Sequence, residues 1–303
     1  MQQKTVWKLV LRIAALTLGF AACYGIVYAA GLWVVPVVDG LDKAILAAIN
    51  PDAYLPVVDE FFRALTDYTN PVLIVSFFAW IVAYGLYRIL PAYKSIFSGL
   101  LAATAVVMAG LAAFGKLWPN SAYRGVNVLE VAAFLVSLGV MAYVFHKMDH
   151  EQMRRFGHLF WLMLLSVYLT DFRATQPIKD SIARPRPFNE ANKPWNEQVR
   201  SIPDEHLTGA NSFPSGHTSG TFSAITPLFW YVRSRKGRAA LLGWGALQGL
   251  SRVYTAAHFP FCVLMGGLLG FAVGTLVFFT LGGPSLRGAR SRADAGAAPR
   301  TAP

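Results

Sequence analysis

The 303-residue chain is 55% hydrophobic and 14% charged, with a formal net charge of +11 and a mean hydropathy of +0.43. That balance points to a polytopic membrane protein rather than two soluble domains. The 27 Lys and Arg residues are scattered between apolar runs, which argues against a nucleic-acid-binding domain.

A bilayer core about 30 Å thick takes about 20 helical residues. Long uncharged runs predict an all-α bundle of about eight transmembrane helices, within a range of six to eight. The runs are Ile13 to Val35, Pro71 to Tyr87, Ser95 to Gly115, Val126 to Phe145, Gly157 to Ile178, Ser215 to Val232, Ala239 to Tyr254 and Phe259 to Gly283. Asp171 and Arg173 interrupt the fifth, and Gly243, Gly245 and Gly249 thin the seventh, although such glycines also let helix backbones approach.

The basic start of the first run and its small Ala29-Ala30-Gly31 resemble a signal peptide, but the apolar stretch exceeds the usual length of about 7–15 residues. It reads as an uncleaved anchor. Between the first two runs, residues 36–70 carry Asp39, Asp42, Asp52, Asp59, Glu60 and Asp67, as expected of an outer loop with short interfacial helices.

Lys4, Lys8 and Arg12, then Arg88 and Lys94, Lys147 to Arg155, Arg233 to Arg238 and Arg287 to Arg300 mark alternate connections as cytoplasmic. Both termini then lie in the cytoplasm. The expected organisation is an N-terminal membrane region, 1–170, a motif-bearing core, 171–283, and a disordered basic tail, 284–303. Cys23 and Cys262 offer no metal-ligand set or disulfide framework.

The core carries three blocks: Lys179-x6-Arg186-Pro187, Pro214-Ser215-Gly216-His217 and Ser251-Arg252-x5-His258. The charge pattern places all of them on the non-cytoplasmic face. A phosphate ester needs cationic donors around its oxygens and an in-line nucleophile. Arg186 and Arg252 can supply guanidinium forks and Lys179 a point charge, with Pro185 and Pro187 restricting the backbone about Arg186.

Pro214-Ser215-Gly216-His217 reads as a turn into a helix N-terminus, where free N–H groups attract an anion. His217 is placed to protonate a leaving oxygen, and His258 to attack phosphorus. Each block alone also fits a blander reading: headgroup-snorkelling cations, a Ser-Gly turn, a structural histidine at a helix end. Their occurrence together favours the chemistry.

In that order the three blocks resemble the type 2 phosphatidic acid phosphatase superfamily, which shares its site with vanadium haloperoxidases. The likeness covers about Asp171 to Gly270. It implies a membrane helical bundle and a phosphatase needing neither metal nor other cofactor. It also implies that His258 is the nucleophile, His217 the general acid, and Lys179, Arg186, Ser215, Gly216 and Arg252 the phosphate cradle. In such enzymes the third block ends in His-x3-Asp, with the carboxylate orienting the nucleophile. Here that position is Cys262, and a thiol is a poor acceptor.

A thiolate, or a nearby acid such as Asp171, Asp180, Asp204 or Glu205, could replace the carboxylate. The implied reaction is hydrolysis of a lipid phosphate through a phosphohistidine. The alternatives are phosphate transfer to a lipid acceptor and a catalytically impaired protein that binds lipid phosphate. The loop Phe188 to Asn211 is expected at the headgroup. Polyprenyl phosphate or diphosphate, phosphatidic acid, phosphatidylglycerophosphate and lipid A all fit as substrates, and the partner is the membrane itself. Richness in Ala, Gly and Arg points to a bacterial cytoplasmic (inner) membrane, with the site on the periplasmic face.

Overall fold

The computed structural model describes residues 2–50, 53, 55–99, 102–103, 106, 136, 139, 142–143, 146–200, 211–282 and 286. Among them the protein is helical, without a named strand. Most of the expected spans Val126 to Phe145 and Ser95 to Gly115, the acids Asp204 and Glu205, and the basic tail apart from Leu286 lie outside the described residues.

The chain divides into two compact units, one of Met1–Tyr54 with His158–Pro303, the other of Leu55–Gly157. In the second unit, α3 (Pro56–Ile89) starts with proline at its first position, where the missing N–H costs nothing. It runs unbroken through the predicted boundary at residue 70. Near its end the Tyr87 hydroxyl lies 2.9 Å from His150 Nδ1.

The first unit holds α1 (Gln2–Trp33), α2 (Val35–Ile49) and most of α4 (His150–Tyr168). α4 continues through a π-helical segment, Leu169–Thr175, into α5 (Gln176–Ile182). After two short 3₁₀ turns come α6 (Gly216–Tyr231), α7 (Arg235–Tyr254) and α8 (Pro260–Val277), which ends in a π turn at Phe278–Gly282. π insertions recur at functional sites, and the first of these carries Asp171.

Two stretches among the described residues are long and apolar enough to cross a membrane: Val6–Trp33, with mean hydropathy 1.9, and Pro260–Gly282, with 2.2. The other described runs expected as spans are also helical. α6 has 16 residues, about 24 Å at 1.5 Å per residue, and buries a polar row of Thr218, Ser219, Thr221, Ser223 and Thr226.

α6 packs directly on α8. A Cβ added at Gly266 would lie 2.5 Å from the carbonyl oxygen of Ser215, and one at Gly270 would collide with that of Ser219. Gly266, Gly270 and Gly274 recur every fourth residue and so face α6 together. This spacing of small residues lets two backbones meet. The interface stands beneath the second sequence block.

Candidate active site

Each block ends or begins a helix, and the helix end explains its spacing. α7 stops in a left-handed residue, Ala256 at φ 57°, and both Ala257 N–H and His258 N–H donate to Arg252 O at 3.0 Å. The six-residue step from Arg252 to His258 is therefore one C-terminal cap, of the kind glycine usually makes. A non-glycine residue in that conformation costs about 1–2 kcal/mol. Backbone strain of this kind collects at sites where a side chain must be aimed.

α5 likewise ends at Ala183, φ 49°, whose N–H donates to Lys179 O at 2.9 Å. The chain then runs extended through Arg184 and Arg186, with Pro185 bridging to Asn211. Ser215 stands at the N-cap position of α6. Its Oγ lies 3.0 Å from Thr218 Oγ1, and its N–H donates to Cys262 O in the first turn of α8 at 2.9 Å.

The blocks converge. Ser215 and His258 are completely buried, Arg252 is 1% exposed and Arg186 7%. A Cβ on Gly216 would sit 3.6 Å from Lys179 Nζ. Burial depresses the His258 pKa well below its ordinary value, and the charges of Lys179, Arg186, Arg252 and His217 depress it further. The imidazole is therefore neutral at physiological pH. Every residue assigned to the site from the sequence thus lies in one cluster.

Of the acids considered as orienting groups, Asp171 accepts a hydrogen bond from Ser219 Oγ on α6 at 3.2 Å and stands in the field of Lys179. Asp180 is exposed. The imidazole instead uses a group the sequence did not flag: His258 Nδ1 lies 2.7 Å from the backbone carbonyl of Ser212. A carbonyl only accepts, so Nδ1 carries the proton and Nε2 keeps its lone pair. Nε2 is buried without a hydrogen-bond partner among the described residues.

Cys262 Sγ accepts from Ser212 Oγ and from Arg184 Nη1, each at 3.3 Å. Arg184 in turn pairs with Asp42 Oδ2 at 2.7 Å and Asp39 Oδ1 at 2.8 Å, and stacks on Phe259 at 4.0 Å. The only sequence hint of this arrangement is that Asp39 and Asp42 share a helix face at i, i+3.

Lys179 gives the cluster a pH limit. Burial lowers its pKa, and the Arg186 and Arg252 charges lower it further, to about 8. It is cationic below that pH and loses its charge above it. Binding of a phosphate dianion to the free site should therefore weaken as pH rises through about 8, and kcat/KM, which reports the free enzyme, should fall there. Lys179→Arg should remove that alkaline limb, because a guanidinium stays charged. A kcat/KM that rises from pH 7 to pH 9 would contradict the assignment.

A family model described as the PAP2 superfamily matches residues 156–282. Probable lipid phosphate phosphatase 4 of Arabidopsis thaliana is 30% identical over 128 residues, covering 34% of this chain and 42% of that protein. The chain thus matches less than half the length of this curated relative. No solved structure matches significantly. The matched region contains all three blocks, and over it the chain is similar to the PAP2 superfamily.

Proposed function

We propose that the protein is a membrane lipid phosphate phosphatase that hydrolyses a phosphate or diphosphate ester through a phosphohistidine. The observation that carries this reading is His258: a buried, neutral imidazole with Nδ1 held by a carbonyl, Nε2 without a hydrogen bond, and Lys179, Arg186 and Arg252 around it. Its lone pair attacks phosphorus while the cations hold the phosphate oxygens with the Ser215 hydroxyl and the Gly216 backbone. His217 protonates the departing alkoxide, then takes a proton from the water that cleaves the phosphorus–nitrogen bond.

The name of the Arabidopsis relative and the apolar helices beside the site support a substrate with an acyl or prenyl tail. Polyprenyl phosphate or diphosphate, phosphatidic acid, phosphatidylglycerophosphate and lipid A are the candidates. The charge pattern supports a multi-pass protein of a bacterial inner membrane, with cytoplasmic termini and the site on the periplasmic face. It also supports the division into an N-terminal membrane region, a core from residue 171 and a basic tail. Cys262 in place of an orienting aspartate favours a second reading, a lipid-phosphate-binding or phosphate-transferring protein with little hydrolysis.

Phosphate release by the detergent-purified protein against that lipid panel, with chelator present, tests the proposal. Turnover of at least one lipid is expected. Phosphate moving to a lipid acceptor identifies the transferase, and binding without turnover identifies the impaired site. His217→Ala should slow lipid esters by about 10²–10⁴ while largely sparing an aryl phosphate, whose leaving group needs no proton. Equal losses on both would remove His217 from the acid role.

A further inference from the structure

Behind His258 a carboxylate is present after all, supplied from residue 42 rather than residue 262. Asp42 is 3% exposed on α2, well outside the region matched by the family. It makes two bonds: Oδ2 to Arg184 Nη1 and Oδ1 to the N–H of Phe261, both 2.7 Å. The first fixes the extended chain after α5 and the second the first turn of α8.

Ser212 lies between those two segments. Its N–H donates to Arg184 O at 2.7 Å, its Oγ reaches Cys262 Sγ at 3.3 Å, and its carbonyl accepts the hydrogen bond from His258 Nδ1. Phe213 and Phe261 stack at 6.0 Å on the other side. The carbonyl can hold the ring in one orientation only if Ser212 itself is fixed, and Asp42 is bonded to both of the segments that fix it.

Resting on the phosphatase reading above, we infer that Asp42 and Arg184 are positioning residues for His258, acting through Ser212 in the role an aspartate at position 262 would otherwise fill. Cys262 belongs to the arrangement as a small neutral acceptor. A carboxylate there would stand against Arg184 Nη1, which Asp42 already occupies, so two buried anions would compete for one guanidinium. The electrostatic part follows the same pairing. Asp42 and Asp39 offset the Arg184 charge, so the guanidinium does not oppose the positive charge that grows on His258 as it attacks.

The inference predicts a reversal of sign. Asp42→Asn should lower kcat about 10- to 100-fold, the usual loss when the group behind a ring-orienting partner is removed. KM should change little, because the cradle is untouched. Cys262→Asp should lower kcat in the wild-type background and raise it about tenfold or more in Asp42→Asn, where the new carboxylate can take over Arg184. Equal factors for Cys262→Asp in both backgrounds, or an unchanged kcat in Asp42→Asn, would overturn the inference.

Orthovanadate affinity by calorimetry gives a second readout that needs no lipid substrate, because the five-coordinate oxyanion bonds to the same imidazole nitrogen. It should weaken in Asp42→Asn and recover in the double variant. If the wild type releases no phosphate but vanadate affinity follows that pattern, the phosphatase reading fails and the positioning role stands. If the wild type turns over and neither kcat nor vanadate affinity responds to Asp42, the reverse holds. Should Asp42→Asn not fold, Arg184→Lys carries the same test, since it keeps the charge but cannot join Asp39, Asp42 and Cys262 at once.

Discussion

Replacing His258 with Asn or Ala should reduce phosphate release by roughly 10⁴ to 10⁶ in kcat, the scale on which losing a nucleophile or its base registers in a covalent mechanism. Asn is the more informative change. His258 is completely buried, so alanine leaves a cavity as well as removing the proposed nucleophile. The Asn side-chain amide can still donate to the Ser212 carbonyl that His258 Nδ1 reaches at 2.7 Å. The asparagine protein should therefore fold, keep the capped end of α7, and bind lipid phosphate through Lys179, Arg186 and Arg252 without turning it over. The measurement is a pair of assays on one preparation: phosphate release and retention of a radiolabelled lipid phosphate. Acid-labile, alkali-stable label on the wild-type protein and none on His258→Asn would identify the phosphohistidine. Residual turnover within tenfold of wild type would place the nucleophile elsewhere, since an uncatalysed route cannot supply that rate.

The sequence exposed the groups proposed to carry charge or attack, because their side-chain types and spacings are dictated by chemistry. Lys179, Arg186, Arg252, His217 and His258 were all legible on that basis, and the Arg252-to-His258 step is a helix cap whose length the backbone sets. The group that holds the His258 ring was not legible. It is a main-chain carbonyl, Ser212 O, and every residue has one. Nor was the distant partner: Asp42 is one of six acids in the segment 36–70, and nothing local marks it as the one buried against Arg184, 142 residues away. The all-helical architecture could be read from apolar runs. The number of membrane spans follows less directly from such runs, because α6 is short and buries a polar row against the glycines of α8.

Gly266→Ala should cost most of the activity without touching a catalytic group. The added methyl would stand 2.5 Å from the carbonyl oxygen of Ser215, and ordinary van der Waals contact requires about 1 Å more. Neither side can yield cheaply. The oxygen belongs to the backbone that starts α6, and Ser215 N–H is tied to Cys262 O one turn earlier on α8. The strain must move the Ser215–His217 turn away from His258, which also stands on the α7-to-α8 connection. A shift of about 1 Å in a reacting geometry costs on the order of 10² in rate, and overpacking of this kind costs about 1–3 kcal/mol in stability. Gly243→Ala on α7 is the matched control. A Cβ there meets nothing within 4 Å, so the change should leave kcat alone and stabilise the helix by about 0.5–1 kcal/mol. Measuring kcat and thermal unfolding for both variants separates the two causes. A kcat loss in Gly266→Ala that persists at temperatures where the protein is fully folded shows that α8 sets the phosphate turn by backbone contact. Loss that appears only as the protein unfolds would reduce Gly266 to a packing residue.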